Sequence, residues 1–85
     1  MTTIYVYFEY TSCDYTCKPH AFRDYETACA WLEKYFEKAK KDAGQIDESD
    51  LVFFEGKRDD GLMAQANVVD DMDNWFGEVW KVELK

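Results

Sequence analysis

Only one stretch of this 85-residue chain carries a helical period, and almost everything else that is patterned alternates. Between Asp24 and Gly44, the residues Tyr25, Ala28, Cys29, Leu32, Tyr35, Phe36 and Ala39 recur three and four apart. Glu26, Glu33, Lys34, Glu37, Lys40 and Lys41 lie off that stripe. Such spacing gives a helix with one apolar and one solvated face. Asp24 supplies an N-cap acceptor, and Gly44 supplies the stop. The lysines fall in the last turns, where the helix dipole favours cations. A helix with a single apolar stripe must bury it against another element.

The alternating segments supply that element. Ile4, Val6, Phe8 and Tyr10 alternate with Tyr5, Tyr7 and Glu9, which predicts a strand over Thr3–Tyr10. Thr11–Pro19 is polar and ends at the only proline, so it reads as a loop, and His20–Arg23 reads as a short edge strand. Leu51–Glu55 and Leu62–Val69 form a hairpin around Asp60-Gly61. A two-residue turn there sets Asp59 opposite Leu62 and Phe53 opposite Val68. Asp70–Phe76 reads as one helical turn ended by Gly77, and Glu78–Leu84 as a last strand. The expected fold is α+β, a four-stranded, mainly antiparallel sheet with the long helix packed on one face. Its order is βαββ(α)β, related to the ferredoxin-like arrangement. Residues 1–85 are expected to make one domain.

Fifteen aromatic residues against twelve Ile, Leu and Val mean that rings fill much of the core. The stripe of Cys29, Leu32 and Phe36 is expected to pack on Ile4, Val6, Phe8, Trp80 and Val82. The opposite sheet face then displays Tyr5, Tyr7, Val52, Phe54, Met63, Val69 and Val79. An open face of that kind marks a protein-binding or homodimer surface.

Charge narrows the partners. Residues 1–44 hold 6 basic and 7 acidic groups, whereas residues 45–85 hold 4 and 11. The acid is concentrated at Asp47, Glu48 and Asp50, at Asp59 and Asp60, and at Asp70, Asp71 and Asp73. Phosphate backbones and anionic membranes are repelled by such a surface, which argues against direct nucleic-acid or membrane binding. A basic protein or nucleoprotein complex is attracted by it. Tyr5, Tyr7, Phe54 and Trp75 are the aromatic anchors expected within that contact.

Chemistry-bearing motifs are weak. Cys13, Cys17, His20 and Cys29 follow a C-x3-C-x2-H-x8-C spacing, which is not a standard zinc pattern, and Cys29 lies on the helix stripe. No metal, cofactor or disulfide is expected. Met1 leads into Thr-Thr-Ile-Tyr without a basic and apolar leader, so free thiols and a cytoplasmic location are expected. The single His, the lack of a nucleophile turn and the lack of a phosphate-cradling glycine loop predict a non-enzyme.

A short, acidic, aromatic-rich α+β chain without enzyme motifs resembles the small proteins that phages and plasmids encode against host defences, among them anti-CRISPR proteins and DNA mimics. The resemblance covers size, charge and element order, and rests on no shared motif. It implies an inhibitor whose carboxylates stand in for phosphates on a basic site of a nuclease complex. The alternative is an intracellular adaptor or homodimeric subunit that associates through its aromatic sheet face.

Overall fold

A computed structural model describes residues 2–12, 19–44, 49–54, 61–69 and 74–84. In chain order the elements are β1 (Thr2–Thr11), β2 (His20–Phe22), α1 (Tyr25–Ala43), β3 (Asp50–Phe53), β4 (Leu62–Val68) and β5 (Trp75–Leu84). The five strands form one antiparallel sheet in the order β2-β1-β5-β4-β3. Helix α1 packs across β1, β2, β4 and β5 on one face. The fold is α+β as expected, with five strands in place of four. The fifth is the short edge strand β2, which the four-strand count leaves out; its His20, Ala21 and Phe22 pair with Tyr7, Val6 and Tyr5.

The helix starts and stops where its capping chemistry requires. Asp24 is extended, and its Oδ2 accepts from Thr27 N–H at 2.8 Å and from the Thr27 hydroxyl at 2.6 Å. Those bonds to the charged form hold the Asp24 carboxyl below its usual range. At the other end Gly44 adopts φ +84°, a conformation costly for residues with a Cβ, and its N–H closes on the Lys41 carbonyl.

Strand β5 begins at Trp75, so Trp75 and Phe76 do not belong to a helical turn. Residues 70–73 of that expected turn lie outside the described residues. The pairing explains the correction: β1 and β5 are both ten residues long, and Thr11↔Trp75 and Tyr10↔Phe76 complete their ladder. The β3–β4 register also differs from expectation. Phe53 lies opposite Ala64, not Val68, so the register is not that of a two-residue turn at Asp60-Gly61. The shift is an even number of residues, so Leu51, Phe53, Ala64, Ala66 and Val68 stay on the helix-covered face. A bulge between Leu62 and Ala64 turns Leu62 the other way, opposite Trp80.

The larger correction concerns β1 and β5. The buried core is Tyr7, Ala28, Leu32, Phe36, Ala64, Ala66, Val68 and Val79, with Tyr5, Trp31, Tyr35 and Trp75 packed against it. Tyr5, Tyr7, Trp75 and Val79 therefore face the helix, and Ile4, Val6, Phe8, Trp80 and Val82 face away from it. The reason is steric. Helix α1 approaches where the strands carry small side chains, at Ala64, Ala66, Gly77 and Val79. A Cβ on Gly77 would come within 2.7 Å of Leu32 Cδ1 and 2.6 Å of the Trp75 ring. Tyr7 is only 1 % exposed, and its hydroxyl enters the core with a partner, donating to Glu9 Oε2 at 3.0 Å. Its ring lies 5.9 Å from Tyr35 and 6.4 Å from Trp31.

Candidate partner-binding face

The face opposite α1 is built from the other residue of each pleat. It carries Ile4, Val6, Phe8 and Tyr10 from β1, and Phe76, Glu78, Trp80, Val82 and Leu84 from β5. Gln65 and Asn67 from β4, and Asp50 and Val52 from β3, extend it. No element among the described residues lies over this face. Val52, Val82 and Leu84 are 38 %, 38 % and 48 % exposed, and the rings of Phe8, Tyr10, Phe76 and Trp80 are half-buried.

The rings are ordered among themselves. Phe8 stacks on Tyr10 at 6.0 Å, and Tyr10 on Phe76 at 5.0 Å with 17° between planes. Glu78 is the pivot. It is 8 % exposed, and it accepts from the Tyr10 hydroxyl at Oε2 and from Trp80 Nε1–H at Oε1, both at 2.8 Å. A buried carboxylate without donors would be costly, whereas two charge-assisted bonds hold it and fix the two rings. Close by in β4, the Asn67 Oδ1 is buried and finds no hydrogen-bond donor among the described residues. An orphaned acceptor of this kind costs free energy until a donor reaches it.

The expected site residues separate under this geometry. Tyr5, Tyr7 and Trp75 are on the helix-covered face, with Tyr7 buried, so they are not presented on the uncovered one. Phe54 lies just past the end of β3, half-buried, with its N–H bonded to the Met63 carbonyl at 2.9 Å. Asp50 is exposed at the start of the edge strand, on the uncovered face opposite Asn67. Asp47, Glu48, Asp59, Asp60, Asp70, Asp71 and Asp73 lie outside the described residues, as do Cys13 and Cys17.

The sequence reading missed Phe8, Tyr10, Phe76, Glu78 and Trp80 as members of an uncovered face. A signal for them exists: Glu78 shares parity with Phe76 and Trp80, and a carboxylate in that row is out of place under a helix.

Other chemistry finds little support among the described residues. No group of three or more His, Cys, Asp or Glu side chains is arranged to hold a metal. Cys29 is buried and free, and desolvation raises its thiol pKa, the opposite of an activated nucleophile. His20 packs 4.8 Å from the Trp31 ring and 6.5 Å from Tyr7. No described helix is long and apolar enough to cross a membrane.

The class defined here is an α+β protein with one helix covering one face of a five-stranded antiparallel sheet. No protein-family model matches the sequence, and no curated protein or solved structure matches it either.

Proposed function

We propose that this chain is a non-catalytic binding protein that docks on a basic protein partner. Its uncovered sheet face forms the contact, and its acidic segments steer the approach. The observation that carries this reading is the ordered row of Phe8, Tyr10 and Phe76 beside Trp80 on a face that no described element covers. Aromatic side chains held rigid before contact lose little entropy on binding and are common hot spots. Glu78 supplies that rigidity for Tyr10 and Trp80. Asp50 stands exposed on the same face, at the edge of the acid-rich half of the chain.

The net charge of residues 45–85 favours a second reading. There the carboxylates themselves occupy a basic nucleic-acid-binding site, and the protein inhibits a host defence complex of the CRISPR type, as phage- or plasmid-encoded proteins of this size and charge do. The two readings differ in what binding depends on. Aromatic docking makes Trp80→Ala with Tyr10→Ala the damaging change, with a loss of ~2 kcal/mol or more whose size changes little with salt. Charge mimicry makes reversal of Asp59, Asp60, Asp70 and Asp71 to Lys the damaging change, steeply dependent on salt. Binding of both variants to a partner captured from the native host separates them. Full binding by the Trp80→Ala, Tyr10→Ala variant overturns the sheet-face reading. Sedimentation tests the remaining alternative: a species of twice 10.1 kDa that dissociates in a Phe8→Glu variant assigns the face to a second copy.

A further inference from the structure

On the helix-covered side, a cleft of about 320 Å³ opens between the C-terminal turns of α1 and the ends of β1, β4 and β5. Glu9, Tyr35, Lys38, Asp42, Val68 and Trp75 are among the residues that line it. Its volume is at the small end of ligand sites, ample for a single side chain or small amine.

Glu9 gives the cleft its chemistry. The Tyr7 hydroxyl donates to Glu9 Oε2 at 3.0 Å, and Trp75 Nε1–H donates to the same oxygen at 3.1 Å. Among the described residues, no donor reaches Oε1. The carboxylate is half-buried at the rim of the cleft, so this oxygen is available to a donor that enters it. Trp75 and Tyr35 place aromatic rings beside it, and Asp42 brings a second carboxylate to the lining. Lys38 brings one cation, which leaves the lining with a net negative charge. An anion would meet two carboxylates here. A neutral apolar ligand would strip water from Oε1 and offer no donor in return. A cation with N–H donors satisfies Oε1 and rests on the rings.

We infer that this cleft binds an organic cation about the size of an arginine side chain, a guanidinium or a primary amine, with Glu9 as its anchor. The inference goes beyond the proposed function, since the cleft and the docking face lie on opposite sides of the sheet. Two sources share this chemistry, a free small amine and a basic side chain of another protein.

The test is an NMR titration of the folded chain with agmatine and with acetyl-Gly-Arg-Gly-amide, read at the Trp75 indole N–H. The expected result is a saturable shift with either probe, and none with acetate. Tighter binding of agmatine points to a free amine, and tighter binding of the peptide to a protein side chain. Glu9→Gln should weaken binding about tenfold or more, since it removes the charge and keeps an acceptor for Tyr7 and Trp75. Glu83→Gln, exposed on β5, should change nothing. Where Glu9→Gln disturbs the fold, Lys38→Gln serves instead and should tighten binding. Shifts that never saturate, or equal affinity in Glu9→Gln and the parent, would overturn the inference, as would unchanged affinity in Lys38→Gln.

Discussion

The two faces of the sheet draw on the same strands and solve different problems. Toward α1, Ala64, Ala66, Gly77 and Val79 give the helix room, and Tyr7 fills the centre. Away from it, β1 and β5 present Phe8, Tyr10, Phe76 and Trp80. Each face also holds one carboxylate that takes a tyrosine hydroxyl and an indole N–H. Glu78 receives one donor on each oxygen, which leaves neither oxygen without a partner and locks Tyr10 and Trp80. Glu9 receives both donors on one oxygen, which leaves the other open to the cleft. The same residue types thus build a rigid surface on one side and an incomplete receptor on the other.

Truncation breaks this comparison most sharply. Phe36→Ala, in the core beneath the helix, should lower the unfolding free energy by ~3–5 kcal/mol, and Leu32→Ala by ~2–5 kcal/mol. Phe8→Ala, on the uncovered face, should cost only about 1 kcal/mol or less, because its ring loses fewer neighbours. Urea unfolding of the three variants measures the difference. Equal losses at Phe36 and Phe8 would mean that both faces are covered alike.

A smaller effect probes the close approach of the helix. Gly77→Ala forces its new methyl against Leu32 and the Trp75 ring, so it should destabilise by ~1–3 kcal/mol. Its backbone is not in the left-handed region, so the cost is crowding alone. A neutral or stabilising Gly77→Ala would show that Leu32 and Trp75 yield freely, and that small residues do not set the position of α1.

How far the sequence discloses this arrangement depends on the element. Helix α1 is legible to both ends because its caps and its stripe are local signals. The inner face of β3 and β4 is legible too, since Ala64, Ala66 and Val68 keep their parity through a register error of even length. Strand β2 is readable from His20–Arg23, but Trp75 and Phe76 are lost to an expected turn, because alternation is weak next to Asp70, Asp71 and Asp73. The parity of β1 is not legible from hydropathy. Ile4, Val6 and Phe8 outrank Tyr5 and Tyr7 on any apolar scale, yet a tyrosine can enter a core when a partner receives its hydroxyl. That partner, Glu9, is two residues along the same strand, and nothing local marks it as one. The candidate site follows the same logic, since the uncovered face carries the opposite parity of β1 and β5 from the one hydropathy predicts.

Removing one hydroxyl from the covered face gives the finest test. Burial first, then the charge and hydrogen bond of Glu9, push the Tyr7 pKa far above its usual value of about 10. In the unfolded chain the phenol ionises near that value, while in the folded chain it stays protonated. The unfolded state therefore gains stability as pH rises past about 10, and the native state loses its margin there. At neutral pH, Tyr7→Phe should cost ~0.5–1.5 kcal/mol, the net worth of a typical hydrogen bond. Above pH ~10 the parent should weaken faster than Tyr7→Phe, so the gap between them should narrow. Lysine titration affects both proteins and cancels in the difference. Urea midpoints for the pair at pH ~7 and pH ~11 make the measurement. A gap that stays constant over that range would place the Tyr7 hydroxyl in water, and with it would go the reason for assigning this parity of β1 to the core.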